Sequence, residues 1–121
     1  MAELKGPAPW TQSELENRFL AFVRAAGLPE PETNVYVAGV LVDCFWREQR
    51  LVVECDGWGF HKTRQQFEQD RRNDTRLQLA AVRPLRVTQP RLEYEAPQLE
   101  AEIRALLSAP LLRPGAGASG P

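Results

Sequence analysis

The stretch that decides the fold is residues 41–61, LVDCFWREQRLVVECDGWGFH. Leu41 to Trp46 and Leu51 to Asp56 are rich in Val, Leu, Phe and Cys, the composition of pleated, half-buried backbone. The stretch therefore reads as a hairpin of two buried strands followed by a glycine turn. With Glu48-Gln49 as a two-residue turn, the register sets Asp43 directly across from Glu54, Cβ atoms roughly 5 Å apart. Asp56, two residues further, points the same way. Three carboxylates on one face of a buried sheet repel one another, and burying each costs several kcal/mol unless it is paired or neutralised. A bound divalent cation is the usual compensation, and hard oxygen donors suit Mg²⁺ or Mn²⁺. Ordinary pairing of each acid with a nearby arginine is the alternative.

Around this hairpin the 121 residues supply one domain with one core. A hydrophobic content of 43% with 26% charged residues is that of a globular chain. MAELKG has no apolar leader and no segment approaches 18 apolar residues, so a cytoplasmic protein with no membrane span is expected. Two cysteines and a single histidine are too few for a disulfide framework or a zinc site, and Cys44 and Cys55 read as buried free thiols on the face opposite the acids.

Upstream, residues 1–12 form an irregular arm that Trp10 can anchor. Ser13-x-x-Glu16 has the form of a capping box opening a helix, with Leu15, Phe19, Phe22, Val23 and Ala26 at helical spacing and Gly27 as its stop. A strand over 34–38 then joins the hairpin through Gly39 as an antiparallel meander. Downstream, Thr63 to Ala81 reads as a helix whose inward stripe holds Phe67, Asp70, Asp74 and Leu77. Arg71, Arg72 and Arg76 are available to pair with the two acids, or Asp70 orients His61 instead. Residues 84–88 form a fourth strand, parallel to an earlier one because a helical crossover precedes it. Leu92 to Leu107 is a closing helix interrupted near Pro97, and 108–121 is a Pro/Gly/Ala tail expected to be disordered.

Charge is unevenly placed. The net charge is −1, yet Lys62 to Arg91 carries eight basic residues against three acids. That surface can follow a phosphate backbone, or be an ordinary solvated helix face.

The order helix, three-strand meander, helix, strand, helix resembles the restriction-endonuclease-like, PD-(D/E)XK superfamily. Its pattern of Asp, a gap of about ten residues and Glu-x-Lys has a counterpart in Asp43 and Glu54-Cys55-Asp56. More closely, SELENRF, AGLPEPETN, VDCFW, RLVVECDGWGFH, FEQDRRNDTRL and PLRVT resemble a bacterial family related to the very-short-patch-repair (Vsr) mismatch endonucleases, over residues 13–92. The resemblance implies an α/β fold, an α-β-β-β-α-β core with a mixed four-stranded sheet and a closing C-terminal helix, in a Vsr-like domain spanning 13–107. It implies Asp43 and Glu54 as metal ligands with the backbone carbonyl of Cys55, and Glu16 reaching the metal directly or through water. Asp56 stands where the superfamily has a catalytic lysine. His61 is the implied general base, with Lys62 next. Gly57 and Gly59 would let the loop approach substrate backbone.

The expected activity is Mg²⁺- or Mn²⁺-dependent hydrolysis of DNA phosphodiesters by an endonuclease or nickase, with catalytic residues Glu16, Asp43, Glu54, Asp56 and His61. Lys62, Arg64, Arg71 and Arg72 would contact flanking phosphates. DNA selection would come from a larger partner. The rival expectation is a catalytically inactive, antitoxin-like module binding nucleic acid or protein on the same fold, for which Asp56 in the lysine position is the support.

Overall fold

The computed structural model of the chain describes residues 8–57 and 62–109. The elements are α1 (Gln12–Ala25), β1 (Glu32–Val37), β2 (Val40–Trp46), β3 (Leu51–Asp56), α2 (Arg64–Leu79), β4 (Arg83–Thr88), α3 (Gln89–Tyr94) and α4 (Ala96–Ser108). The four strands form one sheet in the order β1-β2-β3-β4, antiparallel through the meander and parallel between β3 and β4. The expected α-β-β-β-α-β order and mixed sheet are therefore present. Gly59 and His61 lie outside the described residues, as do 1–7 of the arm and 110–121 of the tail.

Helix α1 begins one box earlier than expected. Thr11, not Ser13, is the N-cap: its hydroxyl accepts from Glu14 N–H, and the Glu14 carboxylate accepts from Thr11 N–H. Both boxes fit the sequence, but the Thr11 box leaves Glu16 free of the helix terminus. At the other end Gly27, with φ +71°, closes a Schellman turn in which Leu28 N–H donates to Val23 C=O at 3.0 Å. Ala81 occupies the matching position after α2 with φ +60°, and Val82 N–H donates to Leu77 C=O at 2.8 Å. A side chain there is strained, so Ala81→Gly is expected to raise unfolding free energy by roughly 0.5–1 kcal/mol in urea denaturation.

Two clusters of buried side chains cover the two faces of the sheet. On one, Leu15, Phe19 and Val23 of α1, Leu92 of α3 and Leu99 and Ile103 of α4 meet Cys44, Trp46, Leu51, Val53, Cys55 and Val87. On the other, Leu77 is the one buried residue of α2, and it meets Val37, Val40, Val42, Phe45, Val52 and Val82. The closing helix is two helices, broken at Glu95, because Pro97 has no N–H to donate to Glu93. Pro84 is tolerated because β4 is an edge strand.

The N-terminal arm is held by Gln89, which is fully buried. Its side-chain oxygen accepts from Trp10 N–H at 2.8 Å, and its amide donates to Ala8 C=O and the Glu93 carboxylate. Trp10 also packs under the Arg18 guanidinium, 4.4 Å from the ring centre. The first turn of α1 is thereby fixed over the sheet.

Candidate active site

The β2–β3 ladder has the expected register, Cys44 opposite Val53, Phe45 opposite Val52 and Trp46 opposite Leu51. The connection is a four-residue turn over 47–50, closed by Arg50 N–H to Arg47 C=O, with Arg50 at φ +52°. Adding one residue on each side of Glu48-Gln49 keeps the register unchanged. The ladder stops after Cys44, however, so Asp43 and Glu54 are not backbone partners. Alternation breaks at Asp43: Val42 faces the α2 side and Cys44 the α1 side. Asn34, across β1 from this point, sits at φ +53°. With the ladder ended, the Cys55 N–H is taken by the Asp43 carboxylate at 2.7 Å.

This splay opens a cavity of about 300 Å³ beyond the end of the β2–β3 ladder. Asp43, Glu54 and Asp56 line it, together with Gln12 from the first turn of α1, Lys62, Gln66 and Asp70 from the α2 side, and Arg86 from β4. The three strand acids thus share one cavity, but they do not converge on one ion-sized point. No group of three His, Cys, Asp or Glu among the described residues is arranged to hold a metal ion. Instead each acid has its own neighbours.

Asp43 faces Glu16. Burial pushes the Asp43 carboxyl up to about 6, against the Cys55 N–H bond that favours its charge, and Glu16 adds repulsion. Glu54 faces Asp74, and burial pushes its carboxyl up to about 7, with Asp74 raising it and Arg86 opposing. Arg86, directly opposite Glu54 on the parallel strand, reaches Glu54 at 3.3 Å and Asp74 at 3.5 Å. It leaves Glu54 Oε2 and Asp74 Oδ1 buried with no hydrogen-bond partner among the described residues. Asp56 is 3.1 Å from the Lys62 ammonium, which also donates to Asp70 at 2.7 Å. The partners of Asp70 and Asp74 are therefore Lys62 and Arg86 from outside the helix, not the helix arginines expected from periodicity. Burial opposes the charge on Lys62, but its bonds to Asp70 and Asp56 prevail and hold its pKa above the ordinary value. A lysine so held is placed as a hydrogen-bond donor.

Of the remaining expected residues, Cys55 lines this cavity, while Glu16 and the three helix arginines do not. The Cys55 carbonyl accepts from Gln12 Nε2 at 2.6 Å, and the same nitrogen donates to Glu16 Oε2 at 3.0 Å. Gln12 carries no motif in the sequence; only its place one turn before Glu16 puts it on the same helix face. Arg86 was likewise legible only as part of the basic segment. Arg64, Arg71 and Arg72 are exposed. Helical geometry turns Arg64 and Arg71 along the flank shared with half-exposed Phe67, and turns Arg72 about 160° from Asp70. Cys44 and Cys55 are buried free thiols whose pKa values burial raises.

The acids give the site a pH signature. A carboxyl whose pKa is higher in the folded chain than in the unfolded one, where it is about 4, binds its proton preferentially when folded. The stability it contributes is present at low pH and falls as pH rises through the folded values of about 6 and about 7. The metal-free protein is expected to melt at lower temperature at about pH 8 than at about pH 5. A midpoint that rises over this interval would contradict the assignment of Asp43 and Glu54 as carboxyls disfavoured in their charged form.

Oxygen donors of this kind fit a small hard cation. Mg²⁺ needs only one or two carboxylates beside water and substrate oxygens. Asp43, Glu16 and the Cys55 carbonyl are the oxygens that such an ion would draw on. The unpartnered Glu54 Oε2 is a buried oxygen that a cation or a proton would satisfy.

No protein-family model matches the chain. No curated protein matches it either. Among solved structures, it is similar to the catalytic domain of the homing endonuclease I-Bth0305I, with a TM-score of 0.63 and 18% identity, over 75% of this chain and 90% of that one. The likeness shows a shared fold, an α/β arrangement of a mixed four-stranded sheet with flanking helices. Among the described residues no helix is long and apolar enough to cross a membrane.

Proposed function

We propose that the chain is a divalent-metal-dependent DNA endonuclease or nickase, kin to the Vsr-like enzymes its sequence resembles. The observation that carries this reading is the cavity lined by Asp43 and Glu54, two carboxyls pushed up to about 6 and about 7, the second with one buried oxygen that has no hydrogen-bond partner among the described residues. Perturbed carboxyls in a cleft mark sites built for a charge that arrives with ligand. The fold shared with a homing endonuclease catalytic domain supports the same class of chemistry.

In this reading Asp43, Glu16 and the Cys55 carbonyl would hold Mg²⁺ or Mn²⁺, with the Glu54 carboxylate lining the same cavity and adding its charge to the ion's surroundings. When bound, the ion would neutralise charge building on the phosphoryl oxygens and favour an ionised water. The chain's own groups do the rest. Asp43 accepts from the Cys55 N–H, and the Cys55 carbonyl accepts from the Gln12 amide, so both backbone groups of Cys55 are held beside the cavity. Lys62, held between Asp56 and Asp70, supplies an ammonium to a phosphate oxygen in place of a lysine at position 56. Arg64 and Arg71 seat the flanking strand through its phosphates, with Arg72 reaching only a strand that wraps α2. His61 remains our candidate base for the attacking water.

The test is supercoiled plasmid with Mg²⁺ or Mn²⁺, scored for nicked and linear product. Nicking that chelation abolishes is expected; a purified, folded chain inert with both ions on plasmid and short duplexes would contradict it. The ion pairs Glu54–Arg86 and Asp56–Lys62 favour a second reading, an inactive binding module whose acids are already neutralised. That module should show salt-dependent DNA binding but no Mg²⁺-linked thermal shift.

A further inference from the structure

We infer that Gln12 is a latch: its side-chain amide fills the position of the cation between Glu16 and the Cys55 carbonyl, and cation binding displaces it. The inference rests on the metal site proposed above and concerns how that site is held and opened. Gln12 Nε2 lies 2.6 Å from Cys55 O and 3.0 Å from Glu16 Oε2. An amide nitrogen has two hydrogens, and here each is directed to an oxygen that the metal would need. The amide nitrogen and an ion cannot both occupy the space between these two oxygens.

The setting of Gln12 suits a side chain that swings while its backbone stays. It occupies the first position of α1, four residues before Glu16, so both side chains rise on one face of the helix. The helix start beneath it is fixed twice, by the Thr11 cap and by the clasp of Gln89 on Ala8 and Trp10. Gln12 itself is only half-buried and borders the open cavity, so the freed amide has solvent to enter. In the metal-free protein the latch brings a carboxylate and a carbonyl oxygen to one nitrogen, when without it they would have no common partner. The donors are thus preassembled, and the cost is competition with the ion.

The experiment is calorimetric titration of Mn²⁺ into the full chain and into Gln12→Ala and Gln12→Asn, the latter too short to bridge both oxygens. Removing two hydrogen bonds that compete with the ion should tighten Mn²⁺ binding about tenfold in each variant. In the wild type, the Gln12 side-chain amide resonances should move to the position of a solvated amide on saturation with Mg²⁺. If the wild type binds Mn²⁺ and both variants bind it equally or more weakly, the latch is wrong and the metal site stands. If all three chains bind no Mn²⁺, the metal site falls and takes the latch with it. Binding by the variants alone would support both.

Discussion

Glu54→Gln should abolish metal-dependent cleavage, a loss of at least about 10³-fold, while leaving the chain as stable as the parent. The two effects separate because of where Glu54 sits. Its Oε2 is buried without a partner, and its charge is opposed by burial and by Asp74. An amide of the same shape removes that repulsion and keeps an oxygen for Arg86, which retains Asp74 as its charged partner. For the reaction, however, the substitution takes a full negative charge from the proposed cation site. Plasmid nicking and urea denaturation of the same preparation measure both. Cleavage within about tenfold of the parent would remove Glu54 from the chemistry, and a strongly destabilised variant would show that its charge is needed for folding.

Arg86→Ala should have the largest effect on stability. Arg86 stands opposite Glu54 on β4 and also reaches Asp74, so its loss leaves two carboxylates facing each other with no cation between them. Removing one partner of a buried pair costs about 3–5 kcal/mol; discounting for the partial exposure of Arg86, about 2 kcal/mol is expected at neutral pH. The sign with pH is opposite to that of acid denaturation. Glu54, whose carboxyl burial and Asp74 push up to about 7, can be neutralised by protonation, so the deficit should shrink towards about pH 5 and grow towards about pH 8. A deficit independent of pH would mean that Arg86 acts through packing of its stem alone.

The sequence shows why some of this was legible. The β2–β3 register could be read because the turn lengthened symmetrically about Glu48-Gln49, so Cys44 still meets Val53. The helix arrangement could be read from Leu15, Phe19 and Val23 and from the Gly27 stop, all local signals. The splay at Asp43 could not, since no Gly or Pro marks it and the group that meets the Cys55 N–H there is a side chain rather than a backbone acceptor. That single event parts Asp43 from Glu54 and creates the cavity between them. The α1 cap was read as the Ser13–Glu16 box, and the Thr11–Glu14 box that forms instead leaves Glu16 to face Asp43. Helical periodicity placed Asp70 and Asp74 inward but could not name Lys62 and Arg86 as their partners, because those contacts join separate elements. Gln12, a lone polar residue at a helix start, gave no signal at all.

In the proposed enzyme Asp43, with Glu16 and the Cys55 carbonyl, forms one divalent-cation site. Titration of Mn²⁺ into the wild type and Asp43→Asn, followed by calorimetry, tests it most directly. The account requires one ion per wild-type chain and at least about a hundredfold weaker binding in the variant, which keeps the side chain's shape and loses its charge. Equal binding by the two chains, or none by the folded wild type, would contradict it.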